Sequence, residues 1–227
     1  VTGKNVIIEA RRRAYRDRAQ YLGDPDFVHV PVALLTSPDY AAGLRNGISL
    51  EHATPSSLLR SVADHPEGTH TTHFSIIDRD GNRVSATVTV NYGFGSGFVA
   101  PGTGVLLNDE MDDFSAKPGS PNVYGLVGGR ANAIEPGKRP LSSMTPTFLV
   151  GKPGVGILGT PGGSRIISMV LLATLDYMDG HAPDSWVSLP RFHHQYLPDQ
   201  LQFEPGAFTE QEQRQLRAMG HTLKPLG

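Results

Sequence analysis

The sequence predicts an α+β fold with the block order of an αββα sandwich: helices, a hairpin, more strands, a helix and a last helix. Three features carry that expectation. A charged helical segment opens the chain. An alternating hairpin fills residues 73–90. A strand, a glycine turn and a helix follow one another over residues 155–178.

Taken in order, Asn5 to Tyr21 reads as a helix, with Val6, Ile7, Ala10, Tyr15 and Ala19 as apolar contacts and charged side chains between them. It should stop near Gly23-Asp24-Pro25. Short helices are expected from Pro31 to Leu59, with Ser37-Pro38 and Thr54-Pro55 as start signals. Ser61 to Thr69 is polar and aperiodic, and reads as an exposed linker and the best candidate boundary. His73 to Asp78 and Arg83 to Val90 read as strands joined at Asp80-Gly81. Their hairpin has an apolar face and a hydroxyl-rich face, and Asn91 falls in phase with Thr87 and Thr89. Gly93 to Gly104 is irregular and Val105 to Leu107 is a short strand. Met111 to Arg139 is a long polar loop of the kind that is functional or disordered. Pro146 to Val150 and Val155 to Leu158 are further strands. The Gly159–Ser164 turn then starts a helix from Arg165 to Met178, and Thr209 to Met219 is a final amphipathic helix.

Composition narrows the function classes. The 227 residues suffice for one large domain or two small ones. Lys plus Arg total 20 against 22 Asp plus Glu, so no basic field favours nucleic acid. No apolar run approaches the ~20 residues that span a bilayer. Cysteine is absent, which excludes a thiol nucleophile, disulfides and thiolate metal sites.

The chemistry-bearing residues come in pieces. Thr71-Thr72 stands between the linker and the first strand. A threonine hydroxyl needs an adjacent base, and a chain-terminal threonine has one in its own α-amine. Cutting the peptide bond before Thr71 would create that amine; a β-prone strand start is the plainer reading. Gly162 and Gly163 can aim two N–H groups at a developing oxyanion, or simply supply the φ > 0 that a strand-to-helix turn requires. No lysine follows them, so no phosphate loop is present. Asn108-Asp109-Glu110-Met111-Asp112-Asp113 suits an ammonium or a metal, or is solvated surface. Ser142-Ser143 offers two hydroxyls to a carboxylate, or is a turn. The nine histidines show no metal-ligand spacing and read as structural or surface groups. Trp186 reads as packing.

Together these stretches resemble the γ-glutamyltranspeptidase family. The resemblance is carried by Thr71-Thr72-His73-Phe74-Ser75 with Asp80-Gly81-Asn82, by Asn108 to Ser115, by Pro121 to Gly129 and by Lys138 to Met144. It continues in Pro161-Gly162-Gly163-Ser164-Arg165-Ile166 and Pro190-Arg191-Phe192-His193-His194, with Tyr21 to Phe27 similar to the end of the family's large subunit. It implies an N-terminal-nucleophile hydrolase αββα sandwich, here partial. Residues 1–70 would be the end of the large subunit and linker, and 71–227 a small catalytic subunit that runs on past Gly227. The precursor would cut itself between His70 and Thr71.

The resemblance also implies roles. Thr71 is the nucleophile, Thr89 its hydrogen-bond partner, and Gly162 and Gly163 the oxyanion hole. Asn91, Glu110 and Asp113 would hold the donor's α-amino and nearby polar groups, Ser142 and Ser143 its α-carboxylate, and Tyr124 would be the lid residue. The expected activity is γ-glutamyl transfer or hydrolysis on glutathione and related amides through a γ-glutamyl–Thr71 ester. The alternatives are a glutaryl or cephalosporin acylase of the same superfamily, or an uncleaved, inactive homologue. No cofactor and no metal are implied. The expected partners are a γ-glutamyl donor, an amino acid, peptide or water as acceptor, and the large subunit; a bacterial periplasmic or secreted location is expected. Most of the large subunit, with the arginine that pairs with the donor carboxylate, lies outside this sequence.

Overall fold

The computed structural model describes residues 1–59, 71–120, 128–152 and 154–226. The 61–69 linker and Tyr124 lie outside them. The chain divides into two compact units, each assembled from separated stretches.

The first unit comprises Val1–Pro66, Asp112–Leu141 and Phe192–Gly227. Helix α1 runs Thr2–Tyr21 and ends at Leu22, just before the predicted stop. Its buried face is not the apolar one expected: Asn5, Glu9, Arg11, Arg12, Arg13 and Asp17 are buried beside Ile8 and Tyr15, whereas Ala10 and Ala14 are exposed. Internal pairing makes this tolerable. Glu9 binds Arg12 Nε at 3.0 Å and Arg13 Nη1 at 2.6 Å, and Arg12 also pairs with Asp199, so the two positive charges meet two carboxylates. The short helices α2 (Val32–Leu35) and α3 (Pro38–Asn46) follow, and Ser37 caps α3 by accepting from Tyr40 N–H. A 3-10 turn at Ser56–Leu59 succeeds the Thr54-Pro55 signal.

At the other end of the sequence lie strands too short to be predicted, beside the predicted last helix. Strands β5 (Phe192–His193), β6 (Leu201–Phe203) and β7 (Leu223–Pro225) form one sheet, β5 antiparallel and β7 parallel to β6. Helix α6 (Glu210–Ala218) begins with a capping box between Thr209 and Glu212. Phe192, Phe203 and Phe208 stack at 5.1–5.2 Å between centroids, and Leu201 and Leu216 are fully buried. Asp24 accepts from Arg139 N–H and Nε at 2.8 and 2.9 Å, tying the Tyr21–Phe27 motif to the Lys138–Met144 motif.

The second unit comprises Glu67–Met111 and Ser142–Arg191. Strands β1 (Thr71–Ile77) and β2 (Arg83–Thr89) pair antiparallel, with Thr71 opposite Thr89 and His73 opposite Thr87. The turn is closed by the Asp78 carboxylate, which accepts from the N–H groups of Asp80 and Asn82, while Gly81 takes φ +84°. The hydroxyl-rich face is the half-buried one; Phe74, Ile76, Val84 and Val88 on the other face are exposed. Strand β3 (Thr147–Gly151) pairs with β4 (Gly154–Leu158), and α4 spans Arg165–Met178 as predicted. Helix α5 (Pro183–Ser188) was not expected; its Trp186 packs edge-on against Tyr177. The strand predicted at Val105–Leu107 is reduced to a bridge between Val99 and Leu106, because the glycines around it turn the chain away after one pair.

Candidate active site

The site is built from the antiparallel register. Thr71 is the first residue of β1 and Thr89 the last of β2, so pairing sets them opposite one another on the same face. Their hydroxyls meet at 3.2 Å, Thr71 Oγ1 donating to Thr89 Oγ1. Asn91 N–H donates to the same Thr89 oxygen at 2.8 Å. Asn91 does not extend the strand, as its phase suggested. It takes φ +72° and is buried, a left-handed position that an asparagine tolerates. The bend lets its Nδ2 donate to Asp109 O at 3.3 Å, while Asp109 Oδ1 accepts from Tyr92 N–H at 3.0 Å. The acidic turn is thereby fastened to the end of β2. Glu110 follows it, with N–H donating to Asn108 Oδ1.

Two residues add to what the sequence reading found. His73, two places beyond Thr71 on the same face, bonds Thr87 Oγ1 through Nδ1 at 2.9 Å and Ser75 Oγ through Nε2 at 3.1 Å. Desolvation lowers its pKa, so it stays neutral and continues the ladder of hydroxyl contacts. Gly159 is the other. Ser85 Oγ donates to Leu158 O at 3.3 Å, and a Cβ at Gly159 would lie 2.2 Å from His73 Nδ1. With His73 in place, a side chain at Gly159 would strike its ring. Period-two alternation was the signal available for His73; nothing local marks Gly159 among its neighbouring glycines.

The turn after Gly159 has the predicted backbone. Gly162 and Gly163 take φ +135° and +56°, and their carbonyls accept from Arg165 and Ile166 at the start of α4. Their own N–H groups have no acceptor among the described residues, the condition an oxyanion hole requires. Ser142 is exposed and its Oγ accepts from Met144 N–H at 3.1 Å; Ser143 is partly buried. Thr71, Thr89, Asn91, Glu110, Ser142, Ser143, Gly162 and Gly163 all belong to the second unit. Asp113 closes the 3-10 turn begun by Glu110 but falls in the first unit, where its carbonyl accepts from Asn132 Nδ2 at 2.7 Å. There Arg18, lowered by desolvation, is partly restored by Tyr15 and the Asp113 charge. Among the described residues no cluster of three histidine or acidic groups is placed to hold a metal.

Paired threonine hydroxyls at a strand end share one unit with a strand–glycine turn–helix. This is the α+β, αββα-type fold of the N-terminal-nucleophile hydrolases, present here in part. Aligned solved structures include a cephalosporin acylase from Bacillus halodurans, with a TM-score of 0.79 at 27% identity over 100% of this chain and 39% of that one. They also include an acivicin-inhibited γ-glutamyltranspeptidase, with a TM-score of 0.65 at 49% identity over 68% of this chain and 84% of that one. The gamma-glutamyltranspeptidase family model matches residues 2–226, and the chain belongs to that family. The glutathione hydrolase proenzyme of Escherichia coli is 51% identical over 222 residues, covering 96% of this chain. The chain spans 38% of that relative's length.

Proposed function

We propose that this chain carries the catalytic core of a γ-glutamyl hydrolase and transferase, acting on glutathione and related γ-glutamyl amides. The observation that carries the reading is Thr71 at the first position of β1 with its hydroxyl on Thr89. In the precursor, Thr71 Oγ attacks the carbonyl of His70. The acyl group shifts from nitrogen to oxygen, and water hydrolyses the ester to leave the His70 carboxylate and a free Thr71 amine. Residues 1–70 then form the end of the large subunit and 71–227 the catalytic piece. The acivicin-inhibited relative is described as autoprocessing, which supports this step.

In the mature site the Thr71 amine takes the hydroxyl proton as Oγ attacks the γ-glutamyl carbonyl. The Gly162 and Gly163 N–H groups receive the oxyanion. Collapse expels the amine, which takes the proton, and leaves a γ-glutamyl–Thr71 ester. Water then releases glutamate, or an amino acid or peptide amine takes the acyl group. Thr89 holds the nucleophile's hydroxyl. Asn91 and Glu110 bind the donor ammonium and its polar neighbours, and Ser142 and Ser143 its carboxylate. A zwitterion asks for both kinds of group.

A second reading, acylase activity on a glutaryl amide, is favoured by the TM-score of 0.79 to a cephalosporin acylase. It differs at one atom group, the donor's α-amine. Comparing hydrolysis of a γ-glutamyl anilide and a glutaryl anilide by the full-length protein separates them. The γ-glutamyl substrate should turn over at least tenfold faster. Thr71→Ala should yield neither a piece beginning Thr71-Thr72-His73 nor turnover; wild-type turnover in that variant would end both enzyme readings.

A further inference from the structure

Cleavage before Thr71 would leave residues 1–70 without a covalent tie to the rest of the chain, yet the first unit is built from both sides of that bond. The contacts across it centre on one buried charge. Arg12 in α1 pairs with Asp199 and donates to Ser56 Oγ at 2.6 Å. Ser56 N–H donates to the second Asp199 oxygen at 2.7 Å, and Ser56 Oγ donates to Tyr196 O at 2.6 Å. Beside them Asn5 Oδ1 accepts from His221 Nε2 at 2.7 Å, its Nδ2 being committed to Ser49 O. Arg12, Ser56, Asn5, His194 and His221 are all buried. We infer that this Arg12–Asp199 lock, with Ser56 and the Asn5–His221 bond, holds the 1–70 piece on the catalytic piece after cleavage. The inference rests on the proposed cut before Thr71.

The lock has a built-in acid sensitivity. Tyr196 N–H points at His194 Nδ1 at 3.2 Å, so that nitrogen accepts and Nε2 carries the proton given to Asp199 at 3.1 Å. A second proton on Nδ1 would face the Tyr196 N–H. His221 Nδ1 is buried with no partner among the described residues, and a proton there would likewise go unmatched. The charged groups around the pair are Glu9, Arg12 and Arg13 from α1, and Asp199. Burial first, with the Arg12 charge beside it, lowers both histidines to about 4. A separated piece takes these protons near the ordinary histidine value, about 6.5. Retention is therefore full above about 6.5 and weakens as the pH falls toward 4.

The test uses the full-length protein after self-cleavage and follows loss of the N-terminal piece by native mass spectrometry and size exclusion. At pH 7 Asp199→Asn should speed release at least tenfold. Lys4→Met, which removes the half-exposed Lys4–Glu212 pair and the Lys4 contacts with Ala207 O and the Phe208 ring but leaves the Arg12–Asp199 lock intact, should change it less than twofold. Should Asp199→Asn not fold, His194→Gln with His221→Asn serves. Wild-type release should quicken at least tenfold between pH 7 and pH 5, and the double variant should lose that response. Equal release from wild type and Asp199→Asn, or an unchanged acid response in the double variant, overturns the lock. A specific protease site set within residues 61–69 of Thr71→Ala supplies the cut independently. If the protein never cuts itself, the cleavage reading falls, and release from this chain still decides the lock.

Discussion

At the residue scale, two positions have consequences that local sequence does not announce. Thr89 Oγ1 stands between the Thr71 hydroxyl and the Asn91 N–H, at 3.2 and 2.8 Å. Thr89→Val keeps the shape and removes both contacts. One hydrogen bond of this kind contributes about 1 kcal/mol, or roughly fivefold to tenfold in rate if it is held at the transition state. The appearance of the piece beginning at Thr71, followed by mass, should slow by at least that factor, and the Asn91 N–H left without its Thr89 acceptor should cost about 1–3 kcal/mol in urea unfolding. Gly159 is the second position. Gly159→Ala sets a methyl 2.2 Å from His73 Nδ1 and should destabilise the protein by about 1–3 kcal/mol in urea unfolding. Adding His73→Ala opens that space, so the double variant should recover most of the Gly159→Ala loss; additive losses would show the clash is not the cause.

At the element scale, α6 has the most legible start. Thr209 Oγ1 accepts from Glu212 N–H at 3.2 Å, and Glu212 Oε2 accepts from Thr209 N–H at 2.9 Å. The second carboxylate oxygen pairs with Lys4 Nζ at 2.9 Å, so the cap also touches α1. Thr209→Ala should cost about 1 kcal/mol and lower Tm by about 2–4 °C by calorimetry. A drop beyond that would mean the Lys4 contact is lost with the cap. The β1–β2 hairpin and α4 were likewise legible, because period-two and period-3.6 patterns report which side chains share a face. The pattern for α1 failed as to which face is buried. Its apolar residues gave a plausible stripe, yet the interior side carries Glu9, Arg12 and Arg13. The Glu9 pairs with Arg12 and Arg13, i to i+3 and i+4, were visible in the spacing; Asp199, the second carboxylate their charge needs, was not.

At the scale of the whole molecule, stability should follow the buried histidines. Their folded values of about 4 lie below the unfolded ~6.5, so the unfolded chain binds more protons between those limits. Unfolding free energy should therefore fall as the pH drops from about 6.5 to about 4, by an amount on the order of a few kcal/mol, with little further histidine contribution below that. Urea midpoints across this range check it, and His194→Gln should remove part of the slope.

What the sequence determined by itself was local: the hairpin turning at Asp80-Gly81, the glycine turn before α4, the last helix and the motif order that fixed the family; that β1 starts at Thr71, not His73, and so opposes Thr71 to Thr89, came from the structure. Neighbours a few places apart dictate these through side-chain direction and backbone freedom. What only the tertiary structure decided was long-range. Arg12 finds Asp199 187 residues away, Asp24 finds Arg139, and β5, β6 and β7 exist only because each supplies the others' backbone partners. A charge can be buried only once its counter-charge is in place, and a strand of two or three residues only once its edge is paired. Neither condition is written in the residues beside them.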